Sequence, residues 1–240
     1  MEAKLRSISK RIPWSLAAKT LVFFVAGWLL PYGLFLAVAA GLYLAPFFKP
    51  LRFLLPFLVL LVLVSPFFLK PNFWIIALGS VVFFIISGVR ELLFVERKSV
   101  YKVAYLILIF LLFYAFFLNF QDHTSWFTVF ISGLVALIFF FLLKHLSLYK
   151  DSPQDANKVG RRKEFIAQGL GAFFMWQLLW VLLFLPLNYI YQSMLGFLAG
   201  LVLTELTLAY IDFSLTRRKI LINFSLVFVF IVFILASFGS

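Results

Sequence analysis

The stretch MLGFLAGLVLTELTLAYID, Met194 to Asp212, puts a carboxylate where one is costly: Glu205 stands in an otherwise apolar run, seven residues before Asp212. At the helical rise of about 1.5 Å per residue, the two acids lie about 10 Å apart along the axis. A carboxylate at that depth in a membrane segment is protonated, paired or turned to water. Two chemistries fit: a proton or cation site, or one half of an ion pair that holds helices together. The ion pair is the favoured reading. Lys19, near the inner end of the first apolar run, is the expected partner, and reversing both charges should rescue the loss caused by reversing either.

The same run carries Gly196, Gly200 and Thr204, one small residue per turn on a single face. Small residues let helix backbones approach closely, which matters in lipid because water supplies no drive for association. The seventh apolar run is the expected neighbour, since only the short LPLNYIYQS turn separates it from the eighth. That run brings Gln168, Gln177, Gly169, Gly171 and Trp176, and the turn adds Asn188, Gln192 and Ser193. A polar cavity, if one forms, is expected between the seventh and eighth runs. The plainer role for Gln168, Gln177 and Thr204 is hydrogen bonding between helices, worth about 0.6 kcal/mol each.

Other chemistries find little to work with. The chain has no cysteine, which removes disulfides, thiolate metal sites and cysteine nucleophiles. His123 and His145 are expected at opposite ends of one helix, so they cannot share a metal ion. No metal and no cofactor is implied, and no catalytic residue is assigned. The segments RELLFVER (Arg90 to Arg97) and FLLKH (Phe141 to His145) resemble two motifs of the prenyl-endopeptidase-like intramembrane proteases, a doubled glutamate with a later arginine and then Phe-x-x-x-His. The resemblance implies a relative of those proteases that has lost its catalytic set. Arg90 replaces the first glutamate, and neither histidine is followed four residues on by Asn or Asp. General-base chemistry on a bound water would lack its partners.

These residues must be held by helices in a bilayer. Of 240 residues, 65% are hydrophobic and 12% charged, against about 45–50% and 25% in soluble domains. Apolar runs at 13–30, 32–48, 52–69, 73–89, 102–120, 126–144, 165–186, 192–211 and 220–238 predict an all-α, polytopic membrane protein with nine transmembrane helices. The first two runs could instead be one long bent helix, and charge decides between the readings. With nine spans and a cytoplasmic N-terminus, every one of the 21 Lys and Arg except Lys70 falls on the inner side, as the positive-inside rule requires. The C-terminus is then outside.

The expected organisation is a basic cytoplasmic arm over 1–12, a single helical bundle over 13–240 and a cytoplasmic loop over 145–164. The arm reads as retained sequence and not as a cleaved signal. Trp176 and Trp180 lie deep within their run, so their indole N–H groups are expected to face protein. The doubled Pro-Phe-Phe at Pro46 and Pro66 marks the two ends of the third span.

The net charge of +12 records topology and attraction to anionic headgroups at the inner loops, not nucleic-acid binding. A bacterial-type inner membrane is the expected location. The expected function is a non-catalytic membrane subunit or scaffold that packs with a membrane-protein partner or lipid. The alternative is a small transporter of a lipid or other apolar solute, and the decayed protease is a second alternative.

Overall fold

The computed structural model describes residues 14–44, 53–65, 73–90, 97–120, 126–147, 158–211 and 214–238. Among them there are nine helices and no strand: α1 (Trp14–Leu29), α2 (Tyr32–Leu44), α3 (Leu54–Leu63), α4 (Phe73–Arg90), α5 (Arg97–Phe120), α6 (Trp126–Ser147), α7 (Lys158–Phe184), α8 (Tyr189–Ile211) and α9 (Arg217–Phe238). The N-terminal arm, both Pro-Phe-Phe copies, Lys70, Glu91, Glu96, His123 and Asp212 lie outside the described residues. Helix dominates because lipid offers no partner for a backbone N–H or C=O, so each segment must satisfy its own.

Among the described residues, four segments are long and apolar enough to cross a bilayer: Val100–Phe120, Trp126–Ser147, Arg162–Phe184 and Tyr189–Ile211. The protein is therefore all-helical and of the membrane class. Trp14–Leu29, Tyr32–Leu44, Leu54–Leu63 and Ile75–Val89 are apolar but shorter. Helical residues occupy both ends of the expected loop over 145–164, because α6 runs to Ser147 and α7 begins at Lys158. The chain groups into two compact units, Met1–Leu108 and Ile109–Ser240.

In the first unit the break between α1 and α2 is resolved by a ring contact. Phe23 of α1 meets Phe35 of α2 edge-on, with centroids 5.1 Å apart. Twelve residues of unbroken helix would separate them by about 18 Å along the axis, so the chain turns back at Pro31. Proline has no N–H to continue α1 and disfavours helical geometry in the residue before it. The Pro31 carbonyl instead accepts from the Phe35 N–H at 3.0 Å, opening α2. Gly27 permits the return, since a Cβ there would lie 3.2 Å from Ile76 and 3.4 Å from Phe35.

Buried rings then tie the short helices together. Phe23 stacks on Phe83 of α4 at 4.4 Å, and Tyr43 of α2 stacks on Phe57 of α3 at 4.1 Å. Such pairs add about 0.5–1.5 kcal/mol beyond the area they bury.

In the second unit α6, α7, α8 and α9 pack in sequence, each on the next. The α7–α8 pair is antiparallel in one register: Gly171 faces Thr207, and Leu182 faces Gly196. Helix α7 ends two residues before Pro186, as it must where the next N–H is missing. The alternation gathers the basic residues at one end of this unit. Lys144 is in the last turn of α6, Arg161 to Lys163 are near the start of α7, and Arg217 to Lys219 open α9. Cations at a helix N-terminus oppose the helix dipole, so the helices themselves do not favour them there.

Candidate functional site

Glu205 lines a cavity of about 320 Å³ together with Leu208, Ser214, Lys219, Ile222 and Asn223. Each helix contributes one face. Glu205, Leu208 and Ala209 are three and four residues apart on α8, and Lys219, Ile222 and Asn223 have the same spacing on α9. Residues at those intervals are neighbours on a helix surface. The cavity therefore lies between the C-terminal part of α8 and the first two turns of α9.

The turn between the two helices is built to hold Lys219. Its Nζ donates to Ser214 Oγ at 3.1 Å, and its backbone N–H donates to Thr216 Oγ1 at 3.3 Å. Thr216 is thus the N-cap of α9, the position where a hydroxyl best satisfies an orphan N–H. The Ser214 N–H in turn donates to the Ala209 carbonyl at 3.0 Å, closing the end of α8. Glu205 is half-buried and Lys219 exposed. Among the described residues the cavity thus has one carboxylate on α8, one exposed ammonium at the start of α9, and an amide within a turn of the ammonium.

The other sequence candidates fall in distinct places. Gln168 of α7 is buried and donates from Nε2 to Ser147 Oγ of α6 at 2.8 Å. Trp176 donates from Nε1 to Ser132 Oγ of α6 at 3.0 Å, so its indole faces protein. Gln177 is exposed on the outer face of α7 and lines no interior contact. Thr204 is buried but turns inward on its own helix, donating to the Gly200 carbonyl at 2.7 Å. Lys19 is half-buried in α1 of the first unit, whereas Glu205 belongs to the second. Arg90 and His145 are likewise divided between the units.

Gly196 and Gly200 form the expected packing stripe, but their main neighbour is α5. A Cβ on Gly196 would lie 3.2 Å from Phe117 and 3.6 Å from Phe113 and Leu182; one on Gly200 would lie 2.9 Å from Phe113. The stripe is a groove for two phenylalanine rings of α5, with α7 touching its upper edge. The close approach of α7 to α8 comes from Gly171 instead, where a Cβ would lie 3.1 Å from Thr207 Oγ1. In the sequence Gln192 reads only as a residue of the turn. It is fully buried and clamps the end of α7, donating to the carbonyls of Leu182 at 2.9 Å and Leu185 at 3.1 Å, while its Oε1 has no partner.

Among the described residues, no three His, Cys, Asp or Glu side chains converge. No known protein family matches the chain, and no curated protein or solved structure matches it significantly. The fold and these contacts define the class as a helical membrane protein.

Proposed function

We propose that this protein is a multi-pass membrane subunit or scaffold whose α7 face packs against a partner within the bilayer. The observation that carries the reading is Gln177. It sits on an outward stripe made of Ile166, Leu170, Phe173, Phe174, Val181 and Phe184, all exposed. A bare amide facing lipid is costly, because hydrocarbon offers no hydrogen-bond partner. The interior amides Gln168 and Gln192 donate to acceptors within the protein; Gln177 would find its own on a neighbouring chain. Interhelical hydrogen bonds of this kind contribute about 1 kcal/mol. Gln177→Leu should lower the fraction of associated protein about fivefold in mild detergent at fixed concentration, measured by light scattering after size exclusion, with the melting temperature unchanged. Undiminished association would remove this reading.

The threading proposed for the chain is nine spans with the N-terminus inside and the C-terminus outside, in a bacterial-type inner membrane. Its support is the distribution of Lys and Arg, all but Lys70 on one side. Because the chain lacks cysteine, a single Lys70→Cys variant gives an unambiguous test. It should react with a membrane-impermeant maleimide in intact cells; reaction only after permeabilisation would invert the threading.

A second reading, the handling of a lipid or apolar solute, is favoured by the cavity that reaches Glu205.

A further inference from the structure

The α8–α9 cavity combines features that together select a ligand class. Among the described residues, its ionisable lining residues are one acid and one base, Glu205 and Lys219. A simple anion entering it would meet the Glu205 carboxylate, and a simple cation would meet the Lys219 ammonium. A zwitterion whose two charges are set on neighbouring atoms would satisfy both. The donors on the α9 side suit an oxyanion. Lys219 offers three N–H bonds, one of which goes to Ser214, and Asn223 lies one turn further on the same face. Arg217 and Arg218, both exposed in the same first turn, add positive potential at the helix end where an anion is already favoured.

The surroundings are apolar. Leu208 and Ile222 line the cavity, and Tyr210, Leu215, Leu221 and Ile222 on the same two helices and their turn are exposed. Glu205 lies about 9 Å along the axis from the end of α8 at Ile211. A soluble zwitterion would have no use for this apolar rim.

We propose that the cavity binds the headgroup of a phospholipid bearing a phosphate and a primary ammonium, with Lys219 and Asn223 on the phosphate and Glu205 on the ammonium. The proposal rests on the membrane reading of the chain and is independent of the α7 interface. It distinguishes headgroups by chemistry. A quaternary choline has no N–H to give Glu205, and a glycerol headgroup has no cation to offer it.

The test uses the full-length protein, purified in mild detergent, stripped of lipid, and exposed to an equimolar mixture of phosphatidylethanolamine, phosphatidylcholine and phosphatidylglycerol with matched chains. Bound lipid is read by native mass spectrometry. Phosphatidylethanolamine should be retained about tenfold over phosphatidylcholine, the usual worth of one hydrogen bond to a charged group. Glu205→Gln should bring that ratio below about twofold, and Lys219→Gln should lower retention of phosphatidylethanolamine and phosphatidylglycerol alike. Equal retention of the three lipids by the wild type overturns the proposal, as does an unchanged ratio in Glu205→Gln. Should Glu205→Gln not fold, Lys219→Gln decides, since Lys219 is exposed; retention unaffected by it overturns the proposal.

Glycerophosphoethanolamine, which has the headgroup without chains, should bind at least about tenfold more weakly, given the apolar surface that chains add. Binding as tight as the lipid's would assign the site to a soluble zwitterion and overturn the lipid assignment. Extraction of the native protein from membranes by alkaline carbonate would count against the membrane reading itself, separately from any headgroup preference.

Discussion

Gly200→Leu should destabilise the second unit by about 1–3 kcal/mol or more, the range for forcing extra atoms into a packed core. The first added atom already decides the sign. A Cβ at Gly200 would lie 2.9 Å from Phe113 Cε2, 3.4 Å from its Cζ and 3.5 Å from Ile109. Phe113 cannot easily withdraw, because it is fully buried and its ring also lies against Phe139 of α6 at 6.2 Å between centroids. The measurement is thermal unfolding of purified protein, followed by a double variant. Phe113→Ala in the Gly200→Leu background should recover part of the loss, because it opens the space that the leucine needs. Gly133→Leu and Gly169→Leu are the controls. Apart from the chain neighbours and the helix's own backbone, nothing lies within 4 Å of a Cβ at either, so neither meets the clash found at Gly200 and each should lose clearly less. Equal loss at Gly169 and Gly200 would show that helix α8 is not seated on α5 by this groove.

Gln192→Glu should cost about 3–5 kcal/mol, as expected when a buried charge is left uncompensated. Gln192 is 1% exposed, and its Nε2 gives both protons to main-chain carbonyls, Leu182 at 2.9 Å and Leu185 at 3.1 Å. A carboxylate of the same size would face those oxygens with oxygens of its own. Gln192→Leu separates charge from hydrogen bonding. It removes two bonds worth about 0.5–1.5 kcal/mol each, but it also removes the buried Oε1 that has no partner, a group that costs about 1–3 kcal/mol. Both carbonyls keep a backbone donor, from Leu185 at 3.3 Å and Leu187 at 2.7 Å. The two terms nearly cancel, so Gln192→Leu should change stability by less than about 1 kcal/mol. Denaturation of the two variants side by side tests the clamp; comparable loss in both would mean that shape, not polarity, matters at this position.

The helices were readable as helices because each apolar run answers the same constraint, a backbone that must satisfy itself in lipid. At Pro31 the proline alone left one long bent helix possible, and the charge distribution decided for two helices. What the runs do not carry is a direction. An amphipathic helix shows its buried face as a periodic stripe, but a helix apolar all round gives no such signal. Gln168 and Gln177 therefore look alike in sequence, yet on α7 one is buried against α6 and the other faces outward. For the same reason Gly196 and Gly200 could be recognised as a close-packing stripe while their partner could not. The rings that fill the groove, Phe113 and Phe117, are two of 34 phenylalanines with nothing to mark them.

Glu205 shows the same division. Composition alone makes a carboxylate inside an apolar run worth examining, because its desolvation is costly wherever the helix points. Which groups share its cavity is a matter of helix rotation and of the turn at 214–216, and these depend on the N-cap of α9 and the seat of Lys219 on Ser214. Residue type and charge distribution thus determine that this chain belongs in a bilayer and where its helices run. Only side-chain packing between helices decides that Glu205 looks toward Lys219 and Asn223, because contacts between all-apolar surfaces are chosen by shape.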